Sequence, residues 1–281
     1  MKRLKKISHL FKVYFYYQKT LNQLARKPFG KEIVAAYLSS KKQKIVDKKL
    51  LSIFEDLEGY RKQLLKNESN ISYDVFEKGL KRKVSEICKS AATPKRWSHF
   101  YFHLIKNTNS LRALEIGTNL GISGQYFLSA LKLNAEEKHQ KGVFLTIEGV
   151  KGLCDIAQER FKEINSEGLV DVILHNELYD DILPQIVSED TTYQVIFVDG
   201  NHKYKPTLRY YEILLESIPD KAIFIFDDIN WNNEMQSAWK DILNKNYHAY
   251  SVDFFKLGLV IIDKTQAENL KKENFKLFLR F

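Results

Sequence analysis

Hydrophobic positions in this chain keep helical spacing for roughly the first third and then break into short runs. Between residues 4 and 24, Leu4, Ile7, Leu10, Phe11, Tyr14, Tyr17, Leu21 and Leu24 recur at three-and-four intervals, with lysines mostly between them. That spacing predicts an amphipathic helix, and Lys27-Pro28-Phe29-Gly30 is where it should stop. Residues 31–93 read as further helices with polar joints, among them 45–65 and 84–92, and Thr93-Pro94 marks a boundary.

From Leu111 onward, apolar runs of strand length alternate with helical stretches. Strands are predicted at 113–116, 143–147, 170–174, 194–198 and 222–226, and helices near 122–133, 150–164, 179–188, 204–217 and 232–244. Such alternation implies an α/β fold, a doubly wound and mostly parallel sheet with helices on both faces. The last two runs, 247–254 and 257–262, leave no room for a helix between them, so they should form an antiparallel edge hairpin. The expected organisation is a basic helical extension over 1–93, a seven-stranded domain over 94–263 and a tail over 264–281.

Composition changes this picture little, but charge changes it. With 44% hydrophobic and 28% charged residues, the chain has the balance of an ordinary soluble protein. Cys88 and Cys154 are too few for a disulfide framework or a zinc site and suit a reducing cytosol. No apolar run reaches the ~18 residues of a membrane span. The start, Met1-Lys2-Arg3-Leu4-Lys5-Lys6, looks like the head of a signal peptide, but Lys12 and Lys19 interrupt the apolar stretch after it. A cytoplasmic location is therefore expected.

The net charge is +9, and nine basic residues precede the first acid, Glu32. The excess therefore belongs to the arm, and the rest of the chain is balanced. This argues against nucleic acid as a partner of the whole protein. The apolar face of the arm either packs on the domain or on a second copy in a homo-oligomer. Alternatively, it lies on an anionic membrane surface, where each basic residue adds about 1 kcal/mol.

Chemistry concentrates at the strand ends. The first strand runs through Glu115 into Gly117-Thr118-Asn119-Leu120-Gly121-Ile122-Ser123-Gly124. Glycines here let backbone approach a ligand, and the helix behind them offers free N–H groups. The spacing is neither Gly-x-Gly-x-x-Gly nor a phosphate loop; the alternative is simply a tight turn. At the end of the second strand, Glu148 can accept both ribose hydroxyls of an adenosine ligand, or be a solvated strand-end acid. After the third, Asn176 can meet an adenine edge or form a turn.

Strands four and five end on acids, in Val198-Asp199-Gly200-Asn201-His202 and Phe226-Asp227-Asp228-Ile229-Asn230-Trp231. Asp199, Asp227 and Asp228 would converge on one crevice, an arrangement that needs a cation to offset it. Oxygen ligands suit Mg²⁺ or a similar divalent ion. The alternative is that these aspartates cap the following helices. His202 is either catalytic or bonded only locally.

Together these residues resemble class I S-adenosylmethionine (SAM)-dependent methyltransferases, and in particular the bacterial O-methyltransferase-like group with Val-Asp-Gly-x-His after strand four. The resemblance covers about residues 80–263. It implies SAM as cofactor, held by the Gly117–Gly121 loop with Glu115 and Ser123, with Glu148 on the ribose and Asn176 near the adenine. It also implies a metal on Asp199, Asp227 and Asp228, and methyl transfer to a hydroxyl of a small molecule or sugar. Relatives often carry histidine where this chain has Asn230, which cannot take a proton, so Asp199 and His202 are the candidate bases. The absence of an Asn/Asp-Pro-Pro-Tyr/Phe motif counts against methylation of nucleic-acid bases. Two rival readings stay open: a metal-independent N- or C-methyltransferase, and a non-catalytic methyltransferase-like partner.

Overall fold

A computed structural model describes residues 16–42, 47–188, 191–245, 248–265 and 272–277. The described chain opens in a helix through residues 16–24 (α1), which ends in the turn around Pro28. Leu21 and Leu24 on α1 are buried in the main core, so this stretch packs its apolar face on the domain. Residues 1–15, with most of the basic charge of the arm, lie outside the described residues.

Four helices follow before the main sheet: α2 (Gly30–Lys42), α3 (Lys48–Leu64), α4 (Val84–Ala91) and α5 (Lys95–Asn107). The side chain of Asp47 caps α3, accepting from the backbone N–H groups of Lys49 (2.7 Å) and Leu50 (3.1 Å). Losing such a cap costs about 1 kcal/mol. Asp47→Ala should therefore lower the melting temperature by about 2–4 °C, as thermal denaturation followed by circular dichroism would show. Helix α5 is buried nearly all round, through Trp97, Phe100, Tyr101, Phe102, Leu104 and Ile105, as a helix sandwiched between two layers must be.

Between α3 and α4 the polar joint is a small antiparallel hairpin, β1 (Asn70–Ser72) with β2 (Lys81–Lys83). The sequence predicts no strand there, because only Ile71 is buried in the hairpin and it has no alternation to show. Ile71 joins Leu64, Val84, Ile87, Cys88, Leu120, Ile122, Val150 and Leu153 in a satellite core. That cluster fastens α4 against the turn that follows the first long strand.

Among the described residues, the main sheet has one strand more than the seven expected. Its members are β3 (Arg112–Ile116), β4 (Gly142–Ile147), β5 (Val170–His175), β6 (Val195–Val198), β7 (Lys221–Phe226), β8 (Tyr250–Asp253), β9 (Gly258–Asp263) and β10 (Glu273–Lys276). Their order is β10-β8-β9-β7-β6-β3-β4-β5. Strands β3 to β7 run parallel, and β9 is antiparallel to both β7 and β8. The extra strand, β10, comes from the tail and pairs parallel with β8 at the edge.

Alternation sorts the strand residues onto two faces. Ala113, Phe144, Val195, Phe197, Ile223, Ile225, Leu259 and Ile261 face the α1, α2 and α5 side, where α6 (Ile122–Lys138) and α7 (Lys151–Ile164) also pack. Leu114, Ile116, Ile196, Val198, Phe224, Phe226, Val260 and Ile262 face α8 (Tyr179–Ser188), α9 (Tyr204–Leu214) and α10 (Asn233–Asn244). The sheet order reverses beside β3. The carboxyl ends of β3, β4, β6 and β7 therefore border one crevice, where open α/β sheets bind ligands. No helix among the described residues is long and apolar enough to cross a membrane.

Candidate active site

At the carboxyl end of β3 the chain turns sharply into α6. Gly117 has φ 98° and Gly121 φ 73°, conformations that cost a side-chain-bearing residue steric energy. A Cβ on Gly117 would lie 2.1 Å from the carbonyl oxygen of Asp199, and one on Gly121 3.1 Å from Cβ of Ala157. The first glycine thus lets the turn touch the end of β6, and the second seats α6 on α7.

Glu115 is not in the crevice. It shares a face with Ala113, so alternation sends it beneath α6, fully buried. There it accepts hydrogen bonds from Oγ of Ser123 (2.5 Å) and Oγ1 of Thr146 (2.8 Å), and burial pushes its carboxyl up to about 8. Its place corrects the expectation of direct cofactor contact: Glu115 ties the turn to β4 from below.

The crevice holds about 450 Å³ and is bordered by Gly117, Ser123, Glu148, Tyr179, Asp199, His202, Asp227, Asp228, Trp231 and Lys256, with Lys89 to Pro94 along another side. Gly117, Ser123 and Glu148 are thus where a ligand in the crevice would meet them. Gly121 and Asn176 do not border it. Asn176 instead donates to the carbonyls of Glu148 (2.9 Å) and Gly149 (3.2 Å), bracing the ends of β4 and β5.

Glu148 is itself held firmly. Its Oε2 accepts from the N–H of Asn119 (2.8 Å) and its Oε1 from that of Val150 (2.9 Å). Burial raises its pKa, against the pull of these backbone donors. Each carboxylate oxygen keeps a second lone pair for a ligand hydroxyl. The glycine turn with its positive-φ backbone and this fixed carboxylate fit an adenosine-bearing cofactor.

The acids at the ends of β6 and β7 do meet. The N–H of Asp227 bonds the carbonyl of Val198 (3.0 Å), which sets Asp227 beside Asp199. Neither acidic segment caps a helix. The cap of α10 is Asn232, accepting from the N–H of Met235 (2.8 Å), and α9 begins after Lys203 without a side-chain cap. The capping alternative is thereby removed.

A lysine outside all the sequence motifs stands among these acids. Nζ of Lys256 lies 2.6 and 2.7 Å from the two carboxylate oxygens of Asp227 and 2.9 Å from Oδ1 of Asp228. Burial alone would lower the pKa of this lysine, but Asp227 and Asp228 outweigh it and raise it. Asp227 is raised chiefly by burial. Asp199 is pushed well above the usual carboxylate range, first by burial and then by the charge of Asp227, against the opposing pull of Lys256. Among the described residues, no group of three or more His, Cys, Asp or Glu is arranged to hold a metal ion.

After β6 the chain curls through two left-handed residues, Asn201 (φ 65°) and His202 (φ 34°). This brings Nε2 of His202 to 3.6 Å from Oδ1 of Asp199, neighbouring it but just beyond hydrogen-bond distance. Asn232 donates to the carbonyl of His202 (3.2 Å) and steadies the curl. Asn230 donates to the carbonyl of Phe255 (2.7 Å).

Comparison with known proteins agrees with this geometry. A family model described as a methyltransferase domain matches residues 114–229, the span from β3 to the acids after β7. No curated protein matches the chain. Among solved structures, an O-methyltransferase from Bacillus cereus in complex with S-adenosylhomocysteine (SAH) is 18% identical with a TM-score of 0.54, covering 81% of this chain and 96% of its own. The SAH-bound methyltransferase PaMTH1 from Podospora anserina is 13% identical with a TM-score of 0.51, covering 79% and 98%. The O-methyltransferase TomG from Streptomyces achromogenes, in complex with SAM, is 20% identical with a TM-score of 0.50, covering 61% and 82%. At these identities the structures speak for the fold, and the family match speaks for the domain. Residues 114–229 thus match a methyltransferase domain, and the sheet around them has the fold of these solved methyltransferases.

Proposed function

We propose that the crevice transfers the methyl group of SAM to a hydroxyl oxygen of a small acceptor, and that Asp199 with His202 takes the proton. The observation that carries this reading is the contact between the Gly117 turn and the end of β6. One crevice is bordered by the turn and Glu148 on one side and by Asp199 and His202 on the other.

The cofactor supplies an electrophilic methyl group on a sulfonium sulfur. Gly117, Ser123 and Glu148, which border the crevice, would hold it, and the other bordering residues would align the acceptor so that positioning lowers the barrier. When bound, SAM would supply its methyl carbon to the acceptor oxygen and keep the electron pair of the broken carbon–sulfur bond on its sulfur. The hydroxyl proton passes to the carboxylate of Asp199, directly or through the imidazole of His202. A carboxylate whose pKa is raised by burial is a better base than one in water, which suits Asp199 for the task.

A divalent ion does not fit the crevice as it stands. The space between the carboxylates of Asp227 and Asp228 is filled by the ammonium group of Lys256, so no step is drawn through a metal.

The test has two stages. Calorimetry should show SAM and SAH binding to the whole chain. SAH release should then be followed over a panel of hydroxyl, amine and carbon acceptors. Release with hydroxyl compounds is the expected result. Release with amines alone would reject the oxygen acceptor, and binding without release on any class would favour a non-catalytic partner.

A further inference from the structure

Neither the family match nor the strand-end motifs account for Lys256 in the crevice. It sits in the turn between β8 and β9, and that turn is tied down from several sides. The N–H of Phe254 bonds the carbonyl of Leu257 (2.9 Å), and the N–H of Lys256 bonds that of Phe254 (3.0 Å). The N–H of Phe255 bonds Oδ1 of Asp253 (2.7 Å) while its own φ is 74°, a strained backbone for a bulky residue. The loop after β7 grips the same turn: the N–H of Ile229 bonds the carbonyl of Lys256 (3.0 Å), and the side chain of Asn230 bonds that of Phe255 (2.7 Å). Asn230 is the position at which the sequence lacks a basic side chain. Here its amide fastens the turn that delivers one.

An ammonium group has three N–H donors, and Lys256 faces three carboxylate oxygens at 2.6, 2.7 and 2.9 Å. Its donors are fully engaged by Asp227 and Asp228. Such a lysine offsets like charges brought together, the role otherwise open to a hard cation. Mg²⁺ binds carboxylate oxygens at about 2.0–2.1 Å, so it could take the same oxygens only after the lysine left.

We infer that Lys256 is the resident cation of this crevice in place of a divalent ion, a positioning residue held by Asn230, so that the methyl transfer proposed above runs without metal. The inference rests on that proposal for the reaction but not for the binding test.

Mn²⁺ serves as the probe, with the free ion followed by electron paramagnetic resonance on the full chain. The wild type should leave the free-ion signal unchanged at millimolar Mn²⁺. Lys256→Ala should take up Mn²⁺ at the vacated oxygens, and adding Asp227→Asn should abolish that uptake. Should Lys256→Ala be poorly folded, Lys256→Gln, which keeps length and a donor, replaces it. Its melting temperature should then rise with Mn²⁺ while that of the wild type does not. Uptake of Mn²⁺ by the wild type that is lost in Asp227→Asn would overturn the inference. So would the failure of the folded Lys256 variant to respond to Mn²⁺. SAM binding, measured separately by calorimetry, decides the functional proposal, so the two can fail independently.

Discussion

A Gly117→Val variant is expected to bind SAM on the order of a hundredfold more weakly than the wild type. Two costs combine. The backbone at Gly117 has φ 98°, and leaving the ordinary regions costs a side-chain-bearing residue about 1–2 kcal/mol. A Cβ there would also stand 2.1 Å from the carbonyl oxygen of Asp199. That atom is backbone at the end of β6, so it can move only by displacing the acidic turn. The glycine turn and Asp199 would separate, and the crevice between them would lose its shape. Gly168→Ala provides the control, because Gly168 also has a positive φ (65°) but nothing within 4 Å of its Cβ position. It should lower thermal stability and leave SAM affinity alone. If Gly117→Val binds SAM with wild-type affinity in calorimetry, the turn is not the cofactor site.

The central sheet was legible in the sequence because its strands are buried on both faces. Runs such as Val195-Ile196-Phe197-Val198 and Ala222-Ile223-Phe224-Ile225-Phe226 send alternate residues to two cores, so they appear as unbroken apolar blocks. The hairpin β1–β2 and the edge strand β10 carry no such signal. Each buries little beyond Ile71 or Phe275, and a charged edge strand reads as loop.

The position of Glu115 is hard to read from sequence for a different reason. Its place at the carboxyl end of β3 suggested the crevice, but the parity it shares with Ala113 puts it below the turn. Lys256 was missed because a lysine in a tight turn ordinarily belongs to solvent. Topology did contain the signal. Strand β9 runs antiparallel to β7 with Gly258 opposite Phe226, so the turn before β9 must lie beside Asp227. A hairpin predicted at that edge would have brought its turn to the acids, and three acids that need a cation would have pointed to its lysine.

Asp199→Asn should separate activity from stability more sharply than any other change in the crevice. In the wild type the Asp199 side chain is largely enclosed, and burial and Asp227 push its pKa well above the usual carboxylate value. The folded protein therefore holds a proton more tightly at Asp199 than the unfolded chain does. The stability associated with that proton is fully present below the ordinary aspartate range. It is lost as pH rises from there through the raised folded value, because only the unfolded chain gives up its proton in that window. Asparagine keeps the shape and never ionises. The variant should match the wild type in acid and melt at a higher temperature once pH exceeds that window, each 1 kcal/mol of relief appearing as about 2–4 °C. Turnover should move the other way. If Asp199 is the base proposed above, its removal should cost about 10²- to 10⁴-fold, once an acceptor is in hand. Wild-type kcat/KM should rise with pH as Asp199 ionises, and the residual activity of the variant should lack that rise. The SAM affinity of the variant should stay within a small factor of wild type, since Gly117, Ser123 and Glu148 are untouched. Full activity in Asp199→Asn would reject Asp199 as the base. A variant that melts lower at neutral and alkaline pH would instead mean that the carboxylate is ionised and paired in the folded state.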